Sequence, residues 1–184
     1  MFLKEPKLAV WCAFGASTLL LASCAHNQSA ENSIIAQAGL INVNGVATGS
    51  AKIEQSAANT QLSVRVSGLK PGAYAMHLHQ TGKCDPPGFT TAGPHWNPAG
   101  KQHGLANAQG PHAGDLPNFN AESDGSANIV FDLPGVTLSS GVQPLLDADG
   151  AAILIHAQPD DNITDPSGNS GARIMCGVFA LAGS

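Results

Sequence analysis

Short runs with a strict two-residue period constrain this chain most. Leu40-Ile-Asn-Val43, Gly49-Ser-Ala-Lys-Ile-Glu54 and Gln61-Leu-Ser-Val-Arg-Val66 alternate apolar with polar or small residues. That is the pattern of a strand with one face buried and the other in water. Further strands are expected at 73–79, 127–133, 151–156 and 174–181. No segment sustains a 3.6-residue period, so the reading is all-β. The 21 glycines and 12 prolines agree with it, because both residues punctuate turns and spoil helix interiors. At 184 residues there is room for one domain and a leader. The net charge of -5 argues against a nucleic-acid partner.

The first 23 residues are expected to stand outside the fold. Lys4 and Lys7 lead into an apolar run from Leu8 to Leu21, too short to cross a bilayer comfortably. It ends Leu21-Ala-Ser-Cys24, which resembles the bacterial lipobox, where cleavage precedes a cysteine that is then acylated. Ser23-Cys24-Ala25 also resembles the small-x-small site of ordinary secretion, and either route takes the chain out of the cytoplasm. Residues 1–23 therefore read as a lipoprotein signal peptide, 24–36 as lipidated Cys24 and a small polar tether, and 37–184 as the folded domain. The expected place is the periplasmic side of a bacterial envelope, with membrane contact only through the lipid on Cys24. With Cys24 so used, Cys84 and Cys176 are free to pair in an oxidising compartment. A link closing a loop of about 90 residues adds on the order of 4–5 kcal/mol in the chain-entropy model.

Two stretches, Gln80 to about Glu122 and Ala157–Ala172, have little strand character. Loops this long in a compact domain are usually functional or disordered, and these contain or flank most of the candidate site residues. Met76-His77-Leu78-His79 lies in an expected strand just before the first. Side chains two apart share a face, so both imidazoles point one way and Met76 and Leu78 the other. Alone, such a pair is as often incidental as functional. His95, His103, His112 and Asp115 follow at intervals of 8, 9 and 3 residues. Three imidazoles and a carboxylate make a tetrahedral zinc set with every position filled by protein. A metal there would order a stretch of about forty residues that has few large apolar groups. His156 ends the apolar run 152–155 and points away from Ile153 and Ile155. A lone strand-end histidine is more often structural, but beside His77 and His79 it becomes a third ligand for a second metal. Imidazoles without thiolate suit Cu(II), and a shared imidazolate can provide the fourth nitrogen.

These residues resemble the copper/zinc superoxide dismutases, from about Gly39 to the C-terminus. The matching stretches are Ala75-Met-His-Leu-His-Gln-Thr-Gly-Lys-Cys84, Ala92-Gly-Pro-His-Trp-Asn-Pro98, Gln102-His-Gly104, Gly110-Pro-His-Ala-Gly-Asp-Leu-Pro-Asn118 and Gly168-Asn-Ser-Gly-Ala-Arg-Ile-Met-Cys-Gly177. The resemblance implies a Greek-key barrel of about eight antiparallel strands, an Ig-like sandwich, with the metals on its outer wall. It implies one copper per subunit on His77, His79, His95 and His156, and one zinc on His95, His103, His112 and Asp115, with His95 as the bridge. It implies a Cys84–Cys176 disulfide and assigns Arg173 as a fixed cation near copper. Asp160 reads on its own as part of a solvated turn; the resemblance makes it the carboxylate that receives hydrogen bonds from a copper ligand and a zinc ligand and so fixes their tautomers.

The activity implied is conversion of superoxide to dioxygen and hydrogen peroxide by two one-electron steps. One superoxide reduces Cu(II); a second reoxidises Cu(I) and takes two protons. Zinc keeps its oxidation state and orders the loop, while His95 leaves copper on reduction and carries a proton. The expected role is protection of the envelope. Removing the leader leaves 6 basic and 12 acidic residues, a net of -6, so an anionic substrate needs a local positive approach. Steering at diffusion-limited rates is a property of the family, not of this sequence. Residues 157–172 contain no lysine, so Lys83 or Lys101 is expected to substitute. Ala75-Met76 and Phe179 depart from the usual family residues without touching the ligand set. Two other readings stay open: an envelope copper or zinc store or chaperone on the same fold, and a surface-anchored interaction module with structural metals. Monomer and homodimer are equally compatible with the sequence. His26 reads as a solvated tether residue.

Overall fold

The computed structural model describes residues 33–183, together with Met1. The expected signal peptide, Cys24 and His26 lie outside the described residues, as does the tether up to residue 32. The strands are β1 (Ile34–Asn42), β2 (Ala47–Gln55), β3 (Thr60–Val66), β4 (Gly72–Tyr74), β5 (Met76–His79), β6 (Phe119–Ala121), β7 (Ala127–Asp132), β8 (Ala152–His156), β9 (Arg173–Val178) and β10 (Ala180–Leu181). The only helical element among the described residues is one 3-10 turn at Thr90–Ala92. The eight-stranded sheet runs in the order β5-β8-β9-β1-β2-β3-β7, with β10 also on β1, and β4 pairs with β6 in a second sheet. Every pairing is antiparallel. β4 runs into β5 through the single residue Ala75, and the turn 122–126 joins β6 to β7. The small sheet is thus tied by the chain to both edges of the large one, and the curled whole is the expected Greek-key barrel.

Differences from expectation lie at strand ends. β1 starts at Ile34, so the barrel takes up three residues assigned to the tether. Ala36 pairs with Ile53 and is fully buried, which explains why the strand extends that far. The expected strand 73–79 breaks at Ala75, whose N–H turns to the Gln158 carbonyl while its own carbonyl accepts from the His156 N–H. The expected strand 174–181 starts at Arg173 and breaks at Phe179, whose N–H goes to Ala151. β6 was not expected, because its three residues lie in a stretch read as loop.

Alternation along the strands places the core. Leu40, Ile53, Leu62, Val64, Met76, Leu78, Ile153 and Ile155 are buried in the barrel interior. On β5 and β8 the intervening side chains, His77, His79, Leu154 and His156, face outward yet are also buried. A second cluster covers that outer wall: Phe89 and Ala92 from the long loop against Ala152, Leu154 and Cys176. The Cys84–Cys176 disulfide, spanning 92 residues, fastens the loop there.

Candidate metal centre

β5 is an edge strand of the large sheet, and an unpaired edge must be covered or paired. The long loop does both. Leu78 donates to the Gly114 carbonyl at 2.9 Å, Trp96 donates to the Leu78 carbonyl at 2.8 Å, and Gly114 donates to the Trp96 carbonyl at 2.8 Å. Bridges His79↔His95 and His77↔Asp115 result, so backbone pairing carries loop ligands to the strand pair of histidines. Gly114 is needed in this crossing, because a Cβ there would overlap the Leu78 carbonyl oxygen. His156 arrives from β8, which pairs with β5 in register His77↔Leu154.

Four ring nitrogens, His77 Nδ1, His79 Nε2, His95 Nε2 and His156 Nε2, are buried without a hydrogen-bond partner. A buried polar atom left unpaired is costly, and four from one cluster require a shared partner. The ligand atoms of these residues lie within 4.8 Å of one another. The opposite nitrogens are tied where hydrogen bonds are available. His79 Nδ1 reaches the Gly93 carbonyl at 2.8 Å, His156 Nδ1 meets Ser170 Oγ at 3.0 Å, and His77 Nε2 meets Asp160 Oδ2 at 2.8 Å. Each ring is therefore turned so that its free nitrogen faces the same point. An all-imidazole set of this kind fits copper.

The second group uses different atoms. Asp115 Oδ1 lies 2.8 Å from His95 Nδ1, 3.0 Å from His103 Nδ1 and 3.2 Å from His112 Nδ1, with the last 3.5 Å from His95 Nδ1. Metal–ligand bonds of about 2.0–2.2 Å in a tetrahedron place ligand atoms about 3.3–3.6 Å apart; these atoms stand at that spacing or a few tenths of an ångström inside it, so the donor set and its scale suit zinc. Asp115 Oδ2 is held by the N–H groups of Gly104 at 2.9 Å and His112 at 3.0 Å, which aims Oδ1 inward. His95 presents Nδ1 to this group and Nε2 to the first. The six candidate histidines and Asp115 stand in two adjoining groups that share His95.

Asp160 spans the two groups: its Oδ2 meets His77, and its Oδ1 meets His103 Nε2 at 3.0 Å. His77, His103 and Asp160 could be taken for a third metal group, but these contacts are hydrogen bonds through the nitrogens that the ligand groups do not use. Asp160 is itself held by Asn118, which donates to its carbonyl and accepts from its N–H, each at 2.8 Å. Gly168 makes room for it: a Cβ there would overlap Asp160 Oδ1 and sit 2.7 Å from His103 Nε2.

The protonation states of the metal-free protein follow the same contacts. Burial lowers His156 to about 3 and His95 to about 4, with neighbouring imidazoles adding to the effect on both. Burial likewise holds His79 well below its ordinary value. These rings are neutral, as metal ligands must be. Burial opposes the charging of His103 too, but hydrogen bonds to Asp115 and Asp160 outweigh it and raise that ring to about 9. Burial would raise Asp160, yet its bonds to His77 and His103 bring it down to about 2.

Arg173 donates to the carbonyls of Phe89 at 2.7 Å and Gly93 at 2.8 Å. It lines a cleft of about 460 Å³ with Thr90, His95, His156, Ser167 and Gly171. Lys83 and Lys101 do not line the cleft, so any help from either to an approaching anion would act through the longer-range field. The supporting contacts of Gly93, Asn118, Ser170 and Gly168 were not anticipated. All four fall in the family-like stretches, but sequence assigns no direction to a carbonyl or an amide.

A sequence model of the family described as copper/zinc superoxide dismutase matches residues 47–179. Copper–zinc superoxide dismutase 2 of Aquifex aeolicus (strain VF5) is 41% identical over 166 residues, covering 89% of this chain and 95% of that protein. The superoxide dismutase-like protein YojM of Bacillus subtilis (strain 168) is 42% identical over 143 residues, covering 76% and 73%. Among solved structures, a double mutant of a superoxide dismutase-like protein from Bacillus subtilis matches with a TM-score of 0.74 and 41% identity, covering 77% of this chain and 95% of that one.

Proposed function

The chain belongs to the copper/zinc superoxide dismutase family; it is an enzyme that dismutes superoxide, and its cofactors are copper and zinc. From that premise we propose that His77, His79, His95 and His156 hold the copper, that His95, His103, His112 and Asp115 hold the zinc, and that Arg173 receives the anion. The observation that carries this reading is the convergence of four buried, unpartnered imidazole nitrogens beside a separate cluster aimed at one carboxylate oxygen. Copper when bound supplies one-electron redox chemistry, and zinc a fixed positive charge.

The protein's own groups do the rest. Arg173, held by two carbonyls, cannot swing away and presents its remaining N–H groups to an anion entering the cleft. His95 Nε2 is the atom that holds and returns a proton, since its other nitrogen faces the zinc group. Asp160 keeps His77 and His103 in the tautomers that leave both Nδ1 atoms free. Neutral Thr90 and Ser167 at the rim leave Arg173 as the charged group that selects an anion.

His156→Ala tests the assignment. The protein loaded with both metals is expected to contain one copper and one zinc per chain. The variant should lose copper and superoxide-consuming activity while keeping zinc and the fold, read by elemental analysis and rapid superoxide decay. Copper retained at full stoichiometry in the variant would refute the ligand set.

We further propose that the protein works at the cell envelope, anchored through lipid on Cys24 and protecting that compartment from superoxide. The apolar run ending Leu21-Ala-Ser-Cys24 supports it. Cells fed a labelled fatty acid should label the protein but not Cys24→Ala; a secreted, unlabelled wild type would overturn the anchor.

A further inference from the structure

A metal-bound imidazole ordinarily gives its other nitrogen to a carboxylate, a carbonyl or water, and that partner fixes the ring and raises its basicity. In the zinc cluster His95 turns its second nitrogen toward the copper group and His103 gives its own to Asp160. His112 remains. Its Nε2 lies 3.9 Å from Asp165 Oδ1. That distance is too long for a hydrogen bond but short enough for a carboxylate to act on the ring by charge. The same Asp165 Oδ1 accepts the backbone N–H of His103 at 2.7 Å. One carboxylate oxygen of a half-exposed side chain thus accepts from the main chain of one proposed ligand and faces the ring of another. Its neighbours Pro166 and Ser167 line the copper cleft.

We propose that Asp165 is a positioning residue of the zinc cluster, a second carboxylate beside Asp160 that secures His103 through its backbone and His112 through charge. The inference rests on the assignment of zinc to His95, His103, His112 and Asp115. Side-chain exposure of 52% for Asp165 weakens its field through solvent. Its effect is therefore placed at the low end of the range for such partners, about 10-fold in metal affinity.

Substitutions at Asp165 separate the two contacts. Asp165→Asn keeps an oxygen for the His103 N–H but removes the charge facing His112; Asp165→Ala removes both. With Co(II) in the zinc cluster of the full protein, both variants are expected to release the ion several-fold faster to a chelator, Ala more than Asn. Both should also shift the visible cobalt bands, while the copper bands stay unchanged. Asn matching the wild type in release rate and spectrum would overturn the role of charge, and with it the proposal, leaving a turn contact alone. If Ala fails to fold, Asn still decides. A wild type that takes up no tetrahedral Co(II) would instead refute the zinc assignment on which this rests.

Discussion

At the scale of single residues, the centre depends as much on room as on ligands. Asp160 can reach both His77 and His103 only because Gly168, at φ +62, has no side chain. Alanine there would meet a strained backbone, about 1–2 kcal/mol for a left-handed residue, and would displace the carboxylate from its two rings. Gly168→Ala is therefore expected to lower zinc affinity about 10- to 100-fold, close to the effect of Asp160→Asn, with a smaller loss of stability in the metal-free barrel. Chelator competition and thermal melts measure the two. Wild-type zinc affinity in Gly168→Ala would show that Asp160 does not fix the rings. The proposed ligands could be named from the sequence because six histidines and Asp115 fall in motifs with fixed chain order. The rotation of each ring was not legible, since it is set by partners such as the Gly93 carbonyl and Ser170 Oγ, which chain folding alone brings near.

At the scale of elements, the period-two runs located the strands because alternation follows from one face packing on the core. It missed short pieces whose pairing has a different cause. β6 is three residues long and is fixed by Tyr74↔Phe119 pairing, with the two rings stacked 5.8 Å apart. The loop after β5 holds the more telling case. Phe89 is fully buried at φ 52, a conformation in which a bulky residue is an outlier. Its ring packs in the cluster of Ala92, Leu154 and Cys176, and burial of a phenylalanine contributes about 1.5–3 kcal/mol. That offsets a backbone cost of order 1–3 kcal/mol. The carbonyl so aimed is one of the two that hold Arg173. The Cys84–Cys176 bond fastens the same loop to β9, the strand that begins with Arg173. Packing, crosslink and the arginine of the cleft therefore belong to one unit, which no residue of it announces separately.

At the scale of the whole molecule, an anion must approach a protein whose own charge repels it. Residues 33–183 carry 6 basic and 11 acidic side chains, a net of -5 before metals bind. The cleft itself is different: among its lining residues Arg173 is the cation and no carboxylate appears. The two fields also have different reach. Charges spread over the surface act on the substrate from beyond the Debye length of about 8 Å at physiological salt, so salt removes most of their repulsion. Arg173, partly buried at the site, is screened less. Raising ionic strength should accordingly leave kcat/KM nearly flat or raise it slightly, within about 2-fold between 10 and 150 mM salt. A rate steered by surface cations would fall steeply instead. Arg173→Gln should lower kcat/KM by about 10-fold or more, whereas Lys83→Gln combined with Lys101→Gln should change neither the rate nor its salt dependence. Superoxide decay measured across a salt series checks all three. A steep fall with salt in the wild type, lost in the double lysine variant, would place the guidance outside the cleft and restore the role that the sequence suggested for those lysines.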